Sequence, residues 1–201
     1  MWFLDSCQLS SYKKDKLNKA ERYAKEYLQQ ELREIEISER NNELPQLSLY
    51  EKAVIYKYSE DGYEGVNELL RTSKGKNITS LGTAVDYCLA KLDNFRGLVY
   101  RCVELTPFEL KQYIHAHDSG KPIKEFAFIS TSKSRLIAMG YNKNTLFVIL
   151  SKTGKEIEKI AKFGIHNPSN EKEVLFKAGR SFNVVGITKE GKQTLITMRE
   201  I

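Results

Sequence analysis

Apolar residues recur at intervals of three and four in the first part of the chain, at Leu17, Ala20, Ala24, Leu28 and Leu32. With no Gly or Pro between residues 10 and 40, that spacing predicts a helix or helix pair with one apolar stripe. Asn41-Asn42-Glu43-Leu44-Pro45 breaks it and reads as a hinge. Ser48-Leu49-Tyr50-Glu51 matches a capping box, so a helix starts there and continues through Tyr58. Further helices are expected over 63–71 and 79–92, the latter with Leu81, Val85, Leu89 and Leu92 as core positions. At Leu98 the period changes to the alternating, β-branched and aromatic pattern of a strand through Leu105. Thr106-Pro107-Phe108-Glu109 then opens another helix. Strands follow at 125–131, 145–150, 173–176, 181–188 and 193–199, interrupted by helical pieces at 134–139 and 155–162. Helices first and strands later indicate an α+β fold. The hinge divides it into an N-terminal helical extension, 1–45, and a main body, 46–201.

Composition narrows the function without naming it. The 201 residues fit one domain, and 41% hydrophobic residues suffice for a core. No apolar run approaches the ~18 residues of a membrane helix, and the start Met1-Trp2-Phe3-Leu4-Asp5 lacks the basic region of a secretory signal. Cys7, Cys88 and Cys102 form no paired pattern and read as reduced thiols. The net charge of +6 is dispersed among acidic residues with no Arg-rich block, which argues against a nucleic-acid partner.

Several chemistries are excluded by missing residues. No G-x-G-x-x-G follows a strand, and no G-x-x-x-x-G-K-[ST] loop is present. His115, His117 and His166 lack zinc spacing, so no metal site is expected. What remains is a set of polar residues at strand positions: Arg101 inside an apolar strand, Ser130-Thr131-Ser132 ending another, and Glu171-Lys172-Glu173 opening a third. Each alone suits a structural role. If 171–173 is strand, the two glutamates share one face. Paired carboxylates repel and raise each other's pKa unless cations or hydroxyls accompany them. Arg101 and Ser130 are suited to that task, and an arginine is also a fork for phosphate.

The ordered set Tyr100-Arg101, Ser130-Thr131-Ser132 and Glu171-x-Glu173 resembles the NAD-dependent mono-ADP-ribosyltransferases of the arginine, serine, glutamate class. It is most similar to their arginine-modifying bacterial toxin branch, which includes the actin-modifying components of binary toxins. The resemblance extends upstream through Ser48-x-x-Glu51, Tyr58, Tyr63, Asn67 and Leu70-Arg71, and downstream to Tyr141, an aromatic in the loop after the Ser-Thr-Ser strand. It implies two packed, mainly antiparallel sheets with NAD, the co-substrate, in the cleft between them.

Carried onto this chain, it places Arg101 on the NAD phosphates and Ser130 on the catalytic Glu173, with Glu171 orienting and deprotonating the attacking arginine. Thr131, Ser132, Tyr58, Tyr63, Asn67 and Tyr141 complete the expected NAD site. Glu rather than Gln at 171 accompanies arginine as acceptor. Residues 164–170 would form the acceptor loop, with Phe163 or His166 touching the target. Asn144 stands where some relatives place another NAD-binding Arg, which shifts the phosphate role toward Arg101. The implied protein is a monomeric toxin or effector, exported by a non-classical route to a target-cell cytoplasm, where it modifies an arginine of actin or another host or bacterial protein. NAD glycohydrolase activity, or a binding module with a degenerate site, are the alternatives.

Overall fold

A computed structural model describes residues 17–201. Cys7 and residues 10–16 of the expected first helix lie outside the described residues. The N-terminal stripe forms two helices, α1 (Lys19–Tyr27) and α2 (Gln29–Glu36), separated at Leu28, whose ψ of 43° interrupts the helical path. Asn18 and Glu21 close a reciprocal capping box at the start of α1. A short 3₁₀ turn, Glu39–Asn42, follows, and Leu44 at φ 47° redirects the chain at the expected hinge.

Helix α3 (Leu49–Lys57) begins at the Ser48/Glu51 box, as its sequence requires. It does not end cleanly, because Tyr58–Gly62 forms a π-helical turn that runs directly into α4 (Tyr63–Thr72). Such turns widen the backbone and re-aim side chains, and they gather at functional sites. Helix α5 (Ser80–Ala90) is capped by Thr79. Leu28, Leu32, Val54, Leu70, Val85 and Leu89 join one apolar core, which extends to Phe128 and Leu175 of the β half.

The β half comprises β1 (Asn94–Val103), β2 (Ile123–Glu125), β3 (Ile129–Ser132), β4 (Thr145–Glu156), β5 (Glu173–Phe176), β6 (Arg180–Glu190) and β7 (Gln193–Glu200). Helix α6 (Pro107–Ser119), opened by the Thr106/Glu109 box, follows β1, and the short α7 (Arg135–Met139) follows β3. The strands run β1-β3-β5-β4-β7-β6-β2, with β1 also paired to β4, and only β4–β7 is parallel. Two ladders, β1-β4-β7-β6-β2 and β3-β5, are thus joined at their edges: Tyr100 meets Ser132, and Lys155 and Glu156 meet Leu175 and Val174. These junctions bring Arg101, Ser130 and Glu173 toward one another from three strands.

Two expected elements differ. The run 125–131 is not one strand: β2 pairs with β6 and β3 with β5, and 126–128 crosses between the ladders. Residues 155–162 are not helical. Lys155 and Glu156 extend β4 by pairing with β5, and turns occupy the rest. Among the described residues no helix is long and apolar enough to cross a membrane.

Candidate active site

A cavity of about 540 Å³ opens where α4, the π turn, β1, β3 and β5 converge. Its lining includes Tyr58, Tyr63, Asn67, Arg101, Ser130, Thr131, Ser132, Tyr141, Glu171 and Glu173, all the residues expected from the sequence for NAD and catalysis, together with Phe163; His166, the other expected acceptor contact, lies instead against Glu39. They do not contribute equally. Thr131 is buried and donates its hydroxyl to the Val174 carbonyl at 2.6 Å. Asn67 receives the Phe128 amide on its side-chain oxygen at 3.1 Å and donates to the Tyr58 hydroxyl at 3.1 Å. Tyr58 is itself 1% exposed and meets the Phe128 ring edge-on. These three make the wall and engage their polar atoms with it. Tyr63 and Tyr141, by contrast, are exposed at the mouth.

Arg101 is half-buried and donates to the Ser130 carbonyl at 2.7 Å, which fixes its reach across the β1–β3 junction. Burial, and then the neighbouring Arg71, lower its pKa, yet a guanidinium stays charged at any working pH. Arg71, at the end of α4, lines the same cavity and was not among the residues singled out from the sequence for NAD contact. The sequence signal was present in Leu70-Arg71. Among the described residues the arginine ion pairs are Arg135–Glu190 and Arg180–Glu200, so both cavity guanidiniums are free for an anion. Asn144 is not at the cavity: its side chain accepts from the Leu105 amide and donates to Glu104, clamping the end of β1. A second cavity of about 510 Å³ shares Arg71, Arg101 and Cys102 with the first, so the two cations stand between two adjoining spaces.

Glu173 is 5% exposed, and its carboxyl is pushed up to about 7. Burial is the main cause and Glu171 adds to it, while hydrogen bonding from Ser130 and the charge of Arg101 pull the other way. Ser130 and Glu173 line the same cavity from the paired strands β3 and β5. The expected strand alternation of Glu171 and Glu173 is absent, because β5 begins at Glu173 and Lys172 lies in the left-handed region at φ 51°. Glu171 reaches the cavity from a loop. Its amide donates to the Phe163 carbonyl at 2.9 Å, and its carbonyl accepts from the Ser132 hydroxyl at 2.7 Å. Ser132 therefore acts on Glu171 through the backbone. Tyr141 donates its hydroxyl to the Glu171 carboxylate, and burial together with that bond holds the phenol well above its usual range. His115 and His117 are exposed on α6, away from these groups.

The ADP-ribosyltransferase exoenzyme family model matches residues 18–200. A Mycobacterium avium (strain 104) protein named as an NAD(+)-arginine ADP-ribosyltransferase, Mav, is 34% identical over 155 residues, 74% of this chain and 18% of its own length. The NAD(+)-protein-arginine ADP-ribosyltransferase Tre1 of Pseudomonas putida (strain GB-1) is 30% identical over 146 residues, 71% of this chain and 27% of its own. The chain thus spans less than a third of the length of these curated relatives. Exoenzyme S from Pseudomonas aeruginosa, solved with human 14-3-3 protein beta and bound to carba-NAD, shares the fold at TM-score 0.70 and 15% identity, covering 90% of this chain and 86% of that one. The match over nearly all described residues, on a fold that assembles the cavity, establishes that this chain belongs to the ADP-ribosyltransferase exoenzyme family.

Proposed function

We propose that this chain transfers ADP-ribose from NAD to an arginine side chain of a protein, releasing nicotinamide. The observation that carries this reading is the grouping of two carboxylates, Glu171 and Glu173, in one cavity with two guanidiniums free of ion pairs. The cations suit the two phosphates of a dinucleotide, and the adjoining spaces suit its two heads. The names of the two relatives point to the same substrate and acceptor.

In this reading Glu173 receives a hydrogen bond from the nicotinamide-side ribose and stabilises the positive charge that develops at the anomeric carbon. The glycosidic bond breaks, its electron pair leaving with nicotinamide. A guanidine nitrogen bonds to the anomeric carbon and releases one proton to Glu171. Arginine needs that partner because it is otherwise protonated and a poor nucleophile. Tyr63 and Tyr141 at the mouth would contact the nicotinamide end, and Phe163 and the 164–170 loop the acceptor. The chemistry then resides in residues 46–201, with 18–45 as their support. A toxin or effector that reaches a foreign cytoplasm, and acts on actin or another protein there, is the biological role this chemistry serves.

The test is incubation of the purified chain with labelled NAD and a cell lysate, with mass spectrometry of labelled products. Wild-type protein is expected to label arginine. Glu173→Gln is expected to lower nicotinamide release on the order of 10²–10³-fold, the usual cost of removing a group aimed at developing charge. Glu171→Gln is expected to lose protein labelling while retaining slow nicotinamide release. Release without label from wild type indicates a glycohydrolase, and no NAD consumption indicates a binding module.

A further inference from the structure

Glu171 owes its position to a loop, and the loop owes its position to the N-terminal helical region. Residues 157–170 contain no helix or strand, yet their turns are held at several points by groups distant in sequence. Arg40, from the 3₁₀ turn after α2, spans two successive carbonyls: its Nε donates to Ala161 at 3.3 Å and a terminal nitrogen donates to Lys162 at 3.2 Å. Its guanidinium lies 5.3 Å from the centroid of the Tyr56 ring, and the Lys162 ammonium lies 5.1 Å from the same centroid. The Lys162 amide donates to the Ser59 hydroxyl at 2.8 Å, which ties the loop to the π turn beside the cavity. Further along, His166 places Nδ1 3.1 Å from Glu39.

The next residue after Lys162 is Phe163, whose carbonyl accepts the Glu171 amide and whose side chain lines the cavity. One continuous path therefore leads from Arg40 through two backbone carbonyls to the base of Glu171. Glu173 is held mainly by β5 and its ladder with β3; the loop touches it only at its first residue, where the Ile157 amide donates to the Glu173 carbonyl at 3.1 Å, ahead of the 161–163 segment that Arg40 holds. The segment that Arg40 holds thus supports Glu171 directly, whereas Glu173 rests on the β3–β5 ladder and on the start of the loop.

From this separation we propose that Arg40 is a positioning residue for the acceptor half of the reaction alone, acting through the 161–163 backbone on Glu171 and Phe163. The inference rests on the transferase reading. It assigns a specific task to a side chain that does not line the cavity. A planar fork that bridges adjacent carbonyls suits arginine, whereas lysine reaches one of them.

The experiment compares wild type, Arg40→Ala and Arg40→Lys in two assays on the full chain: nicotinamide release from NAD alone, and transfer to a free guanidine acceptor. Arg40→Ala is expected to raise the acceptor KM or lower transfer kcat by about tenfold or more, since small displacements of a positioned group cost up to 10²-fold. Nicotinamide release without acceptor, and the KM for NAD, are expected to stay within about twofold. Arg40→Lys is expected to fall between. Hydrogen exchange supplies the second readout: the Glu171 amide should lose protection in Arg40→Ala while β5 amides keep theirs. Parallel loss of transfer and release, or unchanged transfer with unchanged Glu171 protection, overturns the inference. If wild-type protein consumes no NAD, the transferase reading fails, and exchange at Glu171 still decides whether Arg40 positions it.

Discussion

At the scale of single residues, the raised pKa of Glu173 sets a cost as well as a function. An ordinary glutamate near 4.5 that rises to about 7 on folding keeps a proton between those values which the unfolded chain has already released. Native stability therefore falls as pH rises through that window, and the deficit, on the order of 3 kcal/mol, is complete above about 7. Glu173→Gln removes the ionisation, so its Tm is expected to match wild type near pH 4.5 and to exceed it by several degrees at pH 8, measured by thermal melts across pH. The gain accompanies loss of activity, the usual trade at strained sites. Activity of the free enzyme should rise as pH passes through about 7, because only the carboxylate stabilises positive charge. Tyr141 bears on the other carboxylate. Tyr141→Phe keeps the ring at the mouth and deletes the donor to Glu171. Transfer is expected to fall about tenfold, the scale of a hydrogen bond to a charged group, while nicotinamide release without acceptor holds within twofold. Tyr141→Ala should lower both.

At the scale of elements, local chemistry was legible wherever it was local. The Ser48/Glu51 and Thr106/Glu109 boxes are reciprocal in the structure because side chain and amide lie within one turn of each other. The errors fall where tertiary pairing decides. Lys155 and Glu156 resemble a helix start, yet β5 offers them strand partners. Phe126-Ala127-Phe128 continues an apolar run that periodicity cannot divide, although its ends belong to different ladders. The three-part motif gave the right residues for the cavity and the wrong geometry for one of them. Lys172 at φ 51° replaces strand alternation, a feature Lys does not announce. The loop before it has its own sharp requirement. A Cβ on Gly164 would stand 1.7 Å from the Glu158 carbonyl oxygen, which is backbone and cannot swing aside. Gly164→Ala is therefore expected to rebuild the loop and lose transfer to guanidine acceptors. Nicotinamide release, which the proposed reaction assigns to Glu173 in β5, should be far less affected.

At the scale of the whole molecule, the cavity-lining residues occupy the β half, α4 and the π turn, but the core that positions them begins at α1. Ala20, Ala24, Leu28 and Leu32 are buried in the cluster that contains Val54, Leu70 and Phe128. A fully buried carboxylate, Glu51, reinforces this union: it pairs with Lys91 at 2.6 Å and accepts from the Asn18 side chain at 2.9 Å and the Ser48 amide at 2.9 Å. Starting the chain at residue 46 would strip one wall from that core and remove the Asn18 donor from a carboxylate that water reaches poorly. Exposed apolar faces of α3 and α5 then have no cover, and a buried charge that loses a partner is costly. The truncated chain is expected to lose cooperative unfolding, to bind hydrophobic dyes and to release no nicotinamide. A chain of 46–201 that melts cooperatively and still releases nicotinamide would show that the N-terminal helices serve only the acceptor loop. The structure favours the first outcome, because α1 buries its alanines in the core itself rather than against the loop.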